Sequence, residues 1–127
     1  MDAHEAYSYA LLRVVPSIER GEALNAGIVF FCRRARFLAV RWQIPEGALK
    51  AVAADLDLAS VSANLNSLER IAAGDPGAGP VATQEQSERF HWLVAPASTT
   101  VQPGPVHTGL TSNPEETLSR LFSELIA

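Results

Sequence analysis

Side chains able to bind or move charge fall into two blocks of this chain. One holds Arg13, Arg20, Glu22 and Asn25; the other, between Ser87 and Leu110, holds Arg89, His91, Trp92, Ser98, Thr99, Gln102 and His107 together with three prolines. An arginine presents a planar fork of donors that fits a phosphate or carboxylate at two points, and a neighbouring amide adds a neutral contact. Taken together, the two blocks describe one polar groove for an anionic ligand or an acidic or phosphorylated partner. In it Arg13, Arg20, Glu22 and Arg89 set the charge, Asn25, Ser98, Thr99 and Gln102 add polar contacts, and Trp92 and His107 add contact area. The expected role is that of a non-catalytic binding or interaction domain.

Each residue also has a plainer reading. Arg13 and Arg89 lie in apolar or aromatic runs, so each is expected to be partly buried and to need a partner, either Glu22 or Glu88 or a bound anion. Glu22 can pair with an arginine while Asn25 bonds nearby backbone. Gly27 lets a neighbouring backbone or a ligand come close to its strand. His107 and Gln102 can satisfy backbone groups of a long irregular segment.

An enzyme reading uses the same groove, with His107 as general acid or base near Ser98 or Thr99 and the arginines as oxyanion or phosphate clamps. No Gly-x-Ser-x-Gly elbow accompanies it, so no residue is assigned as catalytic beyond His107 in that alternative. Cys32 is the lone cysteine and no His-x-x-x-His pair occurs, which leaves no zinc ligand set. The glycine-rich run Gly74 to Gly79 lacks the Lys-Ser/Thr of a phosphate loop, and Asp55 and Asp57 sit where helix capping explains them. The reading calls for no cofactor and no metal.

The elements that must position these residues follow from periodicity. Tyr7 to Val15 reads as a strand with Ala10, Leu12 and Val14 on one face and Tyr7, Tyr9, Leu11 and Arg13 on the other. After a turn at Gly21 come strands over Ala26 to Cys32 and Phe37 to Trp42, joined as an antiparallel hairpin by Arg33-Arg34-Ala35-Arg36. Pro45 opens one helix, Asp57 caps a second that Gly74 ends, and Ser87 to Ala95 is read as a third. Thr99 to Gln102 reads as a short strand. Asn113-Pro114-Glu115-Glu116 resembles a capping box before a helix whose stripe is Leu118, Leu121, Phe122, Leu125 and Ile126. The order β-β-β-α-α-α-β-α predicts an α+β fold: three N-terminal strands plus a short later one in a small antiparallel sheet, packed with four helices. Residues 1–127 are expected to form a single domain, with 1–5 a frayed terminus and 74–83 a loop.

Composition agrees with a compact chain. It has 127 residues, 47% of them hydrophobic and 19% charged, enough for one core without staples. A net charge of −4 disfavours nucleic acid, and the arginines from Arg33 to Arg41 are read as a solvated hairpin tip. No membrane-length apolar run occurs and the first residues, Met-Asp-Ala-His-Glu, lack a leader's basic and apolar regions, so a cytoplasmic location is expected. A small sheet with a free edge strand also invites pairing with a second copy.

Two stretches carry a family resemblance. Tyr9-Ala-Leu-Leu-Arg-Val-Val-Pro16 with Arg20-Gly-Glu-Ala-Leu-Asn-Ala-Gly-Ile-Val-Phe-Phe31 is the first. Arg89-Phe90, Trp92 to Pro96, Ser98-Thr99, Val101-Gln102-Pro103 and Val106-His-Thr-Gly109 form the second. With the helical middle they resemble the bacterial "domain of unknown function 3037" family over nearly the whole chain. That resemblance implies kinship rather than an activity. Some members resemble neighbours of HipA-like kinases, which implies a third role, a module that docks such a kinase through an apolar patch.

Overall fold

The computed structural model describes residues 4–127 of the chain. Its elements run β1 (Glu5–Val14), β2 (Leu24–Cys32), β3 (Phe37–Trp42), α1 (Glu46–Val52), α2 (Leu58–Ala73), α3 (Gln86–Leu93), β4 (Val101–Pro103), β5 (His107–Thr111) and α4 (Pro114–Leu125). All strand pairs are antiparallel, in the order β3-β2-β1, with both β4 and β5 on the outer edge of β1. The expected α+β fold is therefore the observed one, with one strand more than the sequence reading supplied.

Alternation in β1 sets the layers. Ala10, Leu12 and Val14 are fully buried on one face, which packs on α1, α2 and α3 through Leu49, Val61, Leu65, Phe90 and Leu93. The other face carries Tyr7, Tyr9 and Leu11 toward α4, whose Leu118 and Leu121 close a second core with Ile28, Phe30 and Cys32. β2 is covered on both sides, which is why its residues from Ala26 to Cys32 are continuously apolar rather than alternating.

Local chemistry explains the joints. Asp57 accepts from the Ser60 backbone N–H at the start of α2, and Gly74 ends it at φ +78, a left-handed cap. The β2–β3 turn lacks the usual Asn-Gly because Arg36 itself occupies the left-handed region, at φ +53. Asn113 Oδ1 accepts from the Glu116 N–H, but the other half of the cap comes from Thr111, whose Oγ1 accepts from the Asn113 N–H.

Three boundaries differ from expectation. Met1 to Ala3 lie outside the described residues, and Glu5, expected in a frayed terminus, is paired with Thr111. The expected loop at 74–83 contains two short 3-10 turns, Pro76–Ala78 and Pro80–Thr83. The missed strand is β5. His107-Thr-Gly-Leu-Thr111 has little apolar alternation because it lies at the sheet edge and its glycine sits beneath Tyr7, where a Cβ would come 2.5 Å from the Tyr7 hydroxyl.

Gly27 has an ordinary negative φ and a packing role. A Cβ there would lie 3.0 Å from the Arg41 carbonyl oxygen and 3.1 Å from the Trp42 Cβ, on the crowded side of the central strand.

Candidate functional site

Arg13 lies near the end of β1 on the α4 side of the sheet, and a β-bulge decides its neighbours. Leu12 opposes Gly27 but Arg13 opposes Asn25, so Ala26 is the extra residue of β2. The slip brings the Asn25 amide across from Arg13. On the other side Arg13 opposes Gln102 of β4. Three strands thus present Asn25, Arg13 and Gln102 in one row. Gly104, in the link between β4 and β5, adds a close backbone: its N–H donates to the Leu11 carbonyl at 2.7 Å, and a Cβ on it would lie 3.4 Å from Arg13 Nε.

The row is only partly satisfied from within. Arg13 Nε is buried and has no hydrogen-bond partner. Among the described residues no carboxylate forms a salt bridge with Arg13; Glu22, proposed as its partner, instead holds Arg20, with Nε and Oε1 2.6 Å apart on the surface. Gln102 donates its amide to the Thr99 carbonyl at 2.8 Å, which leaves its Oε1 outside that bond. Asn25 donates to the Leu125 carbonyl at the end of α4, at a long 3.4 Å. A guanidinium whose buried Nε has no partner, beside two amides, is an anion-accepting arrangement, since a buried donor left unplaced costs desolvation free energy.

His107 shares this face. It opposes Tyr9, with ring centroids 5.2 Å apart, and continues a row of rings running from Phe30 through Tyr7. β4 and β5 behave as one interrupted strand along β1. Val101 meets Val14 and His107 meets Tyr9, five residues apart, or roughly 16 Å along the strand. Ser98 and Thr99 precede Val101 and lie farther still, and the Thr99 hydroxyl donates to the Val101 carbonyl at 2.6 Å. The pairing of His107 with Ser98 or Thr99 that the enzyme reading needs is therefore not made, and no hydrogen bond to the His107 ring is formed among the described residues.

The sheet divides the expected groove. Arg89 lies in the helical layer on the opposite side, 9% exposed, and its guanidinium serves the end of α2. Its Nη1 donates to the carbonyls of Ile71 and Ala72 at 3.1 and 2.7 Å, and its Nε to that of Gln84 at 2.9 Å. Neither Glu22 nor Glu88 partners it. Trp92, 48% exposed, and Thr99 line a separate, mainly apolar cavity of about 350 Å³ with Leu12, Leu68, Leu93 and Pro96. Arg13, Asn25, Gln102 and His107 thus stand on one face, Arg20 and Glu22 at the nearby turn, and Arg89, Trp92 and Thr99 behind the sheet. Ser98, exposed, precedes that cavity's rim residue Thr99.

Sequence reasoning passed over the contributions of Tyr9 and Gly104. Tyr9 was legible as a face-mate of Arg13 through alternation, but its contact with His107 depends on the register of a strand that was not recognised.

Among the described residues there is no group of three or more His, Cys, Asp or Glu placed to hold a metal, and no helix is long and apolar enough to cross a membrane. A family model described as "Protein of unknown function (DUF3037)" matches residues 9–126. No curated protein and no solved structure matches the chain.

Proposed function

Because the chain belongs to the DUF3037 family of proteins of unknown function, a membership that brings no activity with it, we propose from geometry that it is a binding domain for an anionic group. The site is the row Asn25–Arg13–Gln102. One observation carries the reading: Arg13 Nε is buried without a partner, in a row whose other members are neutral amides. A phosphate or carboxylate laid on the row would accept from the guanidinium. Ser98 and Thr99 lie away from His107 along β1, and the reading is binding rather than catalysis.

The test is thermal unfolding and calorimetric titration with inorganic phosphate, a phosphoserine peptide and an acidic peptide, with a chloride control for ionic strength. A ligand at about one hundred times its Kd adds roughly 2.7 kcal/mol. Arg13→Leu is expected to abolish the gain while leaving the unliganded protein as stable as before or more so, because it removes a buried orphan donor. Loss of stability in Arg13→Leu without ligand, or titrations that it does not alter, would make Arg13 a structural residue. Absence of any anion effect would shift the weight to a protein partner such as the HipA-like kinase implied by resemblance.

A further inference from the structure

We propose that the α4 side of the sheet takes a nucleoside phosphate, its ring on the open face of His107 and its phosphate on Arg13. This rests on the reading of Arg13 as an anion site and names the ligand class. Four rings line this face in sequence. Phe30 to Tyr7 is 5.0 Å between centroids at 23°, Tyr7 to Tyr9 is 6.2 Å at 28°, and Tyr9 to His107 is 5.2 Å at 30°. The row begins fully buried, at Phe30 under α4, and ends at solvent on His107. Such a row leaves its last π-face open, and a planar heteroaromatic ring is the group that extends it.

The spacing joins the two functions. Tyr9 and Arg13 point to the same face of β1 four residues apart, about 13 Å along the strand, with the half-buried Leu11 between them. The Arg13 side chain shortens that gap from its end. A base on the open face of His107, which opposes Tyr9, would then be joined through the sugar to a phosphate on Arg13, with the Gln102 amide of β4 beside the phosphate.

The charge pattern selects a single nucleotide over a nucleic-acid strand. Arg20 is paired with Glu22, and Arg41, across the same face, is held by Ser119 and by Glu115 of α4. A run of phosphates would need several free cations, and the chain carries a net charge of −4.

The experiment titrates the full chain with adenosine 5′-monophosphate, ribose 5-phosphate and inorganic phosphate, by calorimetry and by amide chemical shifts. Adenosine 5′-monophosphate is expected to bind about fivefold or more tighter than ribose 5-phosphate, the least that one stacked base contributes. His107→Thr, a change at an exposed edge position, is expected to narrow that gap. Arg13→Leu is expected to weaken all three ligands. Equal affinity for adenosine 5′-monophosphate and ribose 5-phosphate, both lost in Arg13→Leu, would overturn the ring assignment and leave the anion reading standing. Binding of none of them would overturn both. The comparison of ligands on the unaltered protein decides the matter even if a variant fails to fold.

Discussion

Arg89 offers the sharpest separation of a structural arginine from a binding one. It is 9% exposed and donates to three backbone carbonyls, those of Ile71, Ala72 and Gln84. The first two are C-terminal carbonyls of α2, that of Ile71 accepting also from the Gly74 N–H, and a cation there also meets the negative end of the helix dipole. Replacing it with methionine keeps the apolar stem and removes every donor. Charge-assisted bonds contribute about 1.5–3 kcal/mol each, and recovering the desolvation of a buried guanidinium offsets part of their sum, so the net loss is about 3–4 kcal/mol. At roughly 4 °C per kcal/mol for a chain of this size, Arg89→Met lowers Tm by about 12–16 °C. Arg89→Lys falls between, since one ammonium can reach carbonyls but does not reproduce the fork. Circular dichroism melts with urea titration measure both. A Tm change under about 4 °C would refute the reasoning; if such a variant also lost anion binding, Arg89 would return to the ligand site.

Gly27→Ala is expected to cost roughly 1–3 kcal/mol in urea titration, because the new methyl meets the fixed Arg41 carbonyl at 3.0 Å and only Leu12 on the other side can yield. An unchanged midpoint would show that β2 and β3 can separate locally. The Asp75 carboxyl is held below the usual carboxylate range, first by the side-chain bond from Arg70 and then by the Gly77 N–H. Its folded value lies below its unfolded one, so its contribution is present above about pH 4 and fades as pH falls through the folded value. Asp75→Asn therefore melts lower than the parent at neutral pH, and the gap closes in acid; a gap constant with pH would contradict this. Burial pushes the Cys32 thiol up from its ordinary value, and the side chain is wholly enclosed beneath α4. Native protein should resist a disulfide reagent that labels it fully in denaturant, and prompt native labelling would mean that α4 opens readily.

Much of the scaffold was legible because its signals are local. Alternation in β1 separated Ala10, Leu12 and Val14 from Tyr7, Tyr9, Leu11 and Arg13, and the structure keeps that division. Asp57, Gly74 and Asn113 marked helix ends through the backbone groups each one serves or frees. β5 escaped because an edge strand with one solvated side needs no apolar pattern, and its glycine answers to Tyr7, about a hundred residues away in sequence.

The composition of the site was equally legible, and its assembly was not. Residue types alone singled out Arg13, Asn25, Gln102 and His107 as able to hold an anion or to add contact area around it. Whether they meet depends on non-local choices: a bulge at Ala26 that turns Asn25 toward Arg13, and an edge register that sets Gln102 beside Arg13 and His107 beside Tyr9. One residue of slip would send any of these side chains to the other face of the sheet. Arg89 illustrates the converse. Its helix was predictable from its neighbours, yet only the packing of α3 against the end of α2 turned a candidate ligand arginine into a helix cap. Periodicity determines which face a residue occupies; which partner stands opposite is settled by long-range packing, where the sequence carries no local record.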